Sequence, residues 1–211
     1  MTVASLVPVC ALAADIGADH GRLSCYLLGR NICQSMIVSD ISDDSLSKAR
    51  ALLKKHGLDE RARFIVADGV RAVQEPVTAV IIAGLGGQTI SGILSHNAYL
   101  GQAMLLLSSH TQTQLLRTSL MQSGYMIKQE LVVRDDARYY TVIQAQRGQA
   151  EYSGKELFIG PTLRGTQSAR VSEYLLWRSK VLEGERDRDP RYTLWLREET
   201  DRALCDEQGH L

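Results

Sequence analysis

"ALAADIGADHGRLS", residues 11–24, decides the fold. An apolar run ends at Asp15, the chain breaks at Gly17, and a carboxylate and an imidazole, Asp19 and His20, follow before Gly21. Three readings compete: the cleavage region of an export signal, a phosphate-cradling loop, or a loop that holds some other cofactor at a strand end. An export signal needs a positive leading region, and no Lys or Arg precedes Arg22. A P-loop needs Lys-Ser/Thr at its far end and a dinucleotide loop needs G-x-G-x-x-G, and neither stands here. What stands is D-x-G-x-D-x-G, from Asp15 through Gly17 and Asp19 to Gly21. Gly17 lets backbone approach a ligand closely, while Asp15 and Asp19 repel a pyrophosphate. A ligand with a cationic centre and an amino-acid tail is the better match, and S-adenosylmethionine has both.

Working outward, the chain to about residue 148 alternates short apolar runs with amphipathic stretches, the pattern of βα units around a parallel sheet. The strands read as "LAADIG", "SMIVSD", "ARFIVA", "TAVIIAG" and "AMLLLSS". Between the second and third, "SDDSLSKARALLKKHG" is a helix: Ser42 or Asp43 caps it, Leu46, Ala49, Leu52 and Leu53 form its stripe, and Gly57 ends it. "TQLLRTSLMQSGY" is a further helix stopped at Gly124, and "MIKQELVVRD" and "RYYTVIQAQR" form a hairpin turning at Asp135-Asp136. The expected fold is α/β, a Rossmann-like, mostly parallel seven-stranded sheet with a terminal hairpin, the class I methyltransferase topology; fold alone does not prove function. Beyond "KELFIGPTLRG", Val171, Tyr174, Leu175, Val181 and Leu182 recur at helical spacing. The charged "EGERDRDP" interrupts, and Tyr192, Trp195, Leu196 and Ala203 resume the stripe, predicting a C-terminal α-helical hairpin. The expected division is 1–160 for the sheet domain and 161–211 for the helical extension.

Composition narrows the class. A chain of 211 residues with 45% hydrophobic content buries one substantial core plus an extension. Lys and Arg number 24 against 24 for Asp and Glu, so no global basic field announces a nucleic-acid binder. Cys10, Cys25, Cys33 and Cys205 show no CxxC pairing, so neither zinc nor a disulfide framework is expected, and no metal. No apolar run approaches the roughly 20 residues of a membrane span. The expected location is cytoplasmic, with no membrane partner.

The strand ends carry the candidate chemistry. Asp40 ends the second strand where an acidic side chain accepts hydrogen bonds from ribose hydroxyls, or else it serves as the charge at a helix N-terminus. Asp68 and Gly69 in "ADGV" offer a carboxylate and backbone to an adenine amino group, or form an ordinary turn. After "VIIAG", which ends in Ala83 and Gly84, the run Gly84-Leu85-Gly86-Gly87 bares backbone where a substrate could press against the cofactor; plain turn glycines are the other reading.

Together these strand ends resemble the bacterial TrmK family, the tRNA (adenine(22)-N1)-methyltransferases. The residues behind the resemblance are "ADIGADHG", "IVSD", "ADGV", "VIIAGLGG", "LLRTSLMQSGY", "YYTVIQAQRG" and "FIGPTLR", and it runs from about residue 3 to the end. It implies that Asp15, Gly17, Asp40, Asp68 and Gly84, with Gly69 and Ala83 beside them, contact S-adenosyl-L-methionine. It implies that Asp19 and His20 face the transfer site, with Gly86, Gly87, Arg22 and His110 toward a tRNA substrate, in a monomer or homodimer. Two segments depart from the family: "LSSH" (Leu107 to His110) stands where "LQPN" is common, and "DHGRLS" where "DHAYLP" is. The segment ahead of the first strand is also shorter than the family's entry helix.

Adenine N1 has its own lone pair, so its methylation needs alignment more than a strong base. The ring gains positive charge, which a carboxylate at Asp19 would stabilise. His20 either holds the base edge, or orients Asp19, or satisfies the loop backbone. Arg22, Lys54, Lys55, Arg61 and Arg63 are candidate phosphate contacts or solvated charges. Arg170, Arg178 and Arg197 on the tail either help position tRNA or belong to a hairpin that only covers the sheet domain. Two other functions stand beside this one: the same chemistry on a non-tRNA substrate, and a binding module without turnover. A nicotinamide oxidoreductase is more distant because its fingerprint is missing.

Overall fold

The computed structural model describes residues 2–95, 100–184 and 189–205. Residues 11–16 are the heart of the sheet: β1 (Cys10–Ile16) pairs with both β2 (Cys33–Asp40) and β4 (Ala79–Leu85), and Ala13 and Ala14 are fully buried. With β3 (Ala62–Val66), β5 (Met104–Ser109), β6 (Tyr125–Asp135) and β7 (Arg138–Arg147), the sheet has the order β3-β2-β1-β4-β5-β7-β6. The five N-terminal strands are parallel, and β7 runs antiparallel to both β5 and β6. The turn between β6 and β7 is made by Asp136, which takes a left-handed φ of 49°.

Strand side chains alternate between the two faces, and that alternation builds two core layers. Ile81 packs with Leu27, Leu46 and Leu53 from α2 (Arg22–Gly29) and α3 (Asp43–Lys55). Its neighbour Ile82 packs with Ile90, Leu116 and Leu120 from α4 (Gly87–Leu94) and α5 (Thr113–Gln122). The α3 helix starts as its sequence directs: the Ser42 hydroxyl accepts the Ser45 amide at 3.3 Å, and Asp43 and Asp44 lie in the positive first turn. A short α1 (Thr2–Ser5) rests on α2 and β5. Cys10 and Cys33 are buried and reduced, Cys25 is half-buried, and the side chain of Cys205 lies outside the described residues.

A third cluster forms at the C-terminal end. Phe158 and Ile159 of α6 (Gly154–Ile159) join Leu163 of the following turn, Val171, Tyr174, Leu175 and Leu182 of α7 (Ala169–Glu183), and Leu196 of α8 (Pro190–Cys205). The two long helices pack on each other, the hairpin that their apolar stripes predict. Val181 departs from its stripe: it is 45% exposed because it faces an open groove and not the partner helix. Residues 185–188 of the charged link and the side chain of Ala203 lie outside the described residues. A capping box starts α6, with Ser153 and Glu156 bonding each other's backbone, a signal present in "SGKE" that the reading above did not use.

A buried ion pair ties this cluster to the sheet. Arg117 on α5 donates from Nε to Glu130 Oε1 on β6 at 2.7 Å and from Nη1 to the Leu157 and Phe158 carbonyls at 3.0 Å. Glu130 Oε2 accepts the Thr162 amide at 3.2 Å, so the "FIGPTLR" turn is wrapped around this pair. Glu199 on α8, also buried, accepts the Gly165 amide at 2.7 Å. Among the described residues no helix is long and apolar enough to cross a membrane.

Candidate functional site

The strand order reverses at β1, between β2 and β4, and in such sheets the carboxyl ends on either side leave a crevice for ligands. Here a cleft of about 420 Å³ opens there, lined from the β1 loop by Asp15, Gly17, Asp19, His20 and Arg22. Ala83 and Gly84 line it from β4, and Ser108 and His110 from the end of β5. The cleft therefore gathers eight of the residues singled out in the sequence.

The loop after β1 is held from its neighbours. The amides of Gly17 and Ala18 both donate to the Ser39 carbonyl, at 2.8 and 2.9 Å. The Asp19 amide donates to Asp40 Oδ2 at 2.9 Å, and the Ser42 amide to Asp40 Oδ1 at 2.9 Å. Asp40 is thus a splint between the β1 loop and the start of α3, and each of its oxygens keeps a lone pair for a further donor. Asp19 takes a left-handed φ of 48°, which turns its exposed carboxylate to His20 Nδ1, 2.5 Å away. That contact holds the Asp19 carboxyl below the usual carboxylate range.

Asp15 is in a different state. It is buried, and burial pushes its carboxyl up to about 6, although the Ser24 hydroxyl donates to it at 2.6 Å and opposes the shift. The nearby Asp40 charge adds to the rise. One strand end therefore presents a carboxylate that ionises readily and another that resists ionising.

The remaining predicted residues lie elsewhere. Asp68 is exposed on the third strand end with Arg71 at 3.8 Å, and Gly69 faces the Ile93 side chain. Gly86 and Gly87 are outside the cleft lining. Gly87 begins α4 against the following loop, where an added Cβ would lie 2.3 Å from the Gln112 carbonyl oxygen, so close packing requires the glycine. Arg61 donates to the carbonyls of Gln34, Cys33 and Leu28, which fixes it at the amino end of β2, opposite the cleft. Arg63 pairs with Glu75, and Lys54 and Lys55 close the last turn of α3 as it returns toward the amino ends of the strands.

The cleft also holds residues the sequence did not single out. Tyr140 on β7 forms its wall and stacks on His110, ring centroids 4.8 Å apart and planes 12° from parallel. No local pattern marks Tyr140; only the pairing of β7 with β5, Ser109 opposite Thr141, brings it there. Outside that lining, Ile41, directly after Asp40, is 72% exposed, an apolar surface at a strand end that the run "SDIS" does show. Among the described residues no three His, Cys, Asp or Glu side chains gather as a metal site.

Sheet order, switch-point cleft and glycine-bared strand ends define a Rossmann-like methyltransferase domain, and a family model described as "Methyltransferase domain" matches residues 1–143. The tRNA (adenine(22)-N(1))-methyltransferase of Bacillus subtilis is 29% identical over 177 residues, 80% of this chain and 74% of that protein. A putative tRNA methyltransferase of Mycoplasma pneumoniae is 32% identical over 157 residues, 71% of each chain. The crystal structure of a putative tRNA (m1A22) methyltransferase of Streptococcus pneumoniae, in complex with S-adenosyl-L-methionine, superimposes with a TM-score of 0.82 at 25% identity, covering 96% of this chain and 95% of that one. The chain belongs to the TrmK family of methyltransferases.

Proposed function

We propose that this protein transfers a methyl group from S-adenosylmethionine to N1 of an adenine in tRNA. The observation that carries the reading is the Asp19–His20 pair, splinted by Asp40 at the mouth of the switch-point cleft. The residues present fit the cofactor. An added Cβ on Gly84 would meet nothing within 4 Å, and one on Gly17 only Leu85 Cδ1 at 3.8 Å, so bare backbone lines the cleft on both sides. Asp40 has lone pairs left for ribose hydroxyls, Ile41 at the same strand end offers an apolar face to adenine, and the cationic amino-acid tail suits the Asp15 side. When bound, the cofactor supplies an electrophilic methyl group.

The chain's own residues then position and stabilise. A base within a tRNA helix is extruded to reach such a cleft. The His110–Tyr140 pair offers it a flat wall, and Arg22, exposed on the rim, offers a phosphate contact. Asp19 stands as an anion beside the ring that becomes cationic, and its fixed position means little reorganisation as charge develops. His20 holds that carboxylate in place. A tRNA substrate makes the cytoplasm the place of action.

The test is incubation with labelled S-adenosylmethionine and unmodified tRNA, followed by nucleoside analysis. N1-methyladenosine is the expected product. Cofactor binding by calorimetry without label in tRNA would turn the reading to another substrate, and no cofactor binding would turn it to a binding module.

A further inference from the structure

Beside the transfer cleft runs a second cavity of about 380 Å³, between the sheet edge and the C-terminal helices. Its walls are aromatic: Tyr139 and Tyr140 from β7, Tyr174 and Trp177 from α7, Phe158 from α6 and Tyr192 from α8. The Tyr139 and Trp177 ring centroids are 5.6 Å apart, and the Tyr139 hydroxyl donates to Glu173 at 3.0 Å, which fixes that ring. Trp177 stays half-exposed. Among the described lining residues Arg178 is the one charged group; it is anchored to the Phe158 carbonyl at 3.1 Å and stacks 4.3 Å from the Phe158 ring centroid. Gln112 and Gln114 add amides at the rim. His110 and Tyr140 line this groove and the transfer cleft alike, so the two cavities share a wall.

We infer that this groove receives an unpaired nucleobase neighbouring the target adenine, stacked on Trp177 and Tyr139, with the His110–Tyr140 pair as the partition between the two bases. The inference rests on the tRNA reading above. Unpaired RNA is recognised by laying splayed bases on aromatic faces, and such stacking tolerates any base because every base has a π-face. A guanidinium fixed in the groove wall suits the accompanying phosphate. The volume lies within the roughly 300–1,000 Å³ of small-molecule pockets, room for a nucleotide and not for a duplex. Continuity with the cleft places that nucleotide within reach of the base being methylated.

The test uses Trp177→Leu, which keeps apolar bulk but removes the aromatic face, and Trp177→Phe, which restores a smaller one. With thermal melting and cofactor affinity as checks on the fold, Trp177→Leu is expected to raise KM for unmodified tRNA roughly five- to hundredfold with kcat unchanged. Trp177→Phe should recover most of the loss. In a Trp195→Phe protein, where Trp177 is the sole tryptophan, a short unpaired oligoadenylate should quench fluorescence and a duplex of equal length should not. Should Trp177→Leu fail to fold, Tyr139→Leu carries the same measurement. An unchanged KM for tRNA, or no quenching by the oligonucleotide, overturns the inference while leaving tRNA methylation intact. Absence of tRNA methylation by the unaltered protein overturns the parent reading, and this inference with it.

Discussion

Asp19 combines an unusual backbone with an exposed side chain held by His20. Its amide is fixed by Asp40, so replacing its carboxylate leaves the loop anchor in place. Asp19→Asn is therefore expected to lower the rate of methyl transfer about 10²- to 10³-fold with cofactor affinity nearly intact. Single-turnover transfer alongside calorimetry checks this, and equal losses in both would assign Asp19 to cofactor holding. Asp15 makes a pH prediction. Burial moves its carboxyl from 3.8 to about 6, so between those values the folded chain binds more protons than the unfolded chain. Stability from this group is thus present at low pH and lost as pH rises through about 6, with a cost of about 3 kcal/mol above it. Asp15→Asn cannot ionise and should raise Tm at pH 7.5, with the advantage shrinking toward pH 4. The same Tm difference at both pH values would contradict it.

At the scale of elements, two contacts hold neighbouring elements in register. Gly87 lets α4 start against the Gln112 carbonyl, next to the loop that carries His110. Gly87→Ala must push these apart and should cost about 1–3 kcal/mol of stability in a thermal melt. A variant of normal stability with a raised KM for tRNA would instead return Gly87 to the substrate surface. The Arg117–Glu130 pair joins α5, β6 and the turn after α6. Arg117→Met leaves Glu130 as a lone buried charge and should cost about 3–5 kcal/mol by urea denaturation. Adding Glu130→Leu should recover part of that loss, because the unpaired charge is gone, the Phe158 carbonyl keeps its bond from Arg178, and only the Leu157 carbonyl and the Thr162 amide lose these partners. A double variant less stable than Arg117→Met would refute the account.

At the scale of the molecule, the tail is bound into the fold and not appended to it. Phe158, Ile159 and Leu163 are covered by Val171, Tyr174, Leu175 and Leu196, and Glu199 accepts the Gly165 amide. Truncation after Gly165 would expose those side chains and leave that amide unpaired. The shortened chain is expected to melt early or aggregate, measured by thermal scanning and size-exclusion chromatography. A truncated chain as stable as the whole would mean that α7 and α8 serve the substrate alone. Arg170, a candidate for holding RNA, is already engaged with Glu173 at 3.4 Å, whereas the Phe158 carbonyl holds Arg178 in the wall of the aromatic groove.

Local pattern by itself determined the five parallel strands, the terminal hairpin and the helical tail. It did so because strand and helix periods, the Ser42 cap and the Gly57 stop are written in adjacent residues. The strand-end motifs, through the family they resemble, also pointed to Asp15, Gly17, Asp19, His20 and Gly84, which line one cleft because carboxyl ends of parallel strands converge by topology. Only tertiary structure decided that Asp40 splints the Asp19 amide, that Arg117 is a buried clamp and that Tyr140 walls the cleft. These depend on side chains 21, 13 and 30 positions from their partners in the chain. The sequence leaves Arg61 open as a phosphate contact because a guanidinium at a strand start reads as surface charge until its carbonyl acceptors are placed around it. Periodicity says which residues face inward; what they meet there is set by packing between elements far apart in sequence.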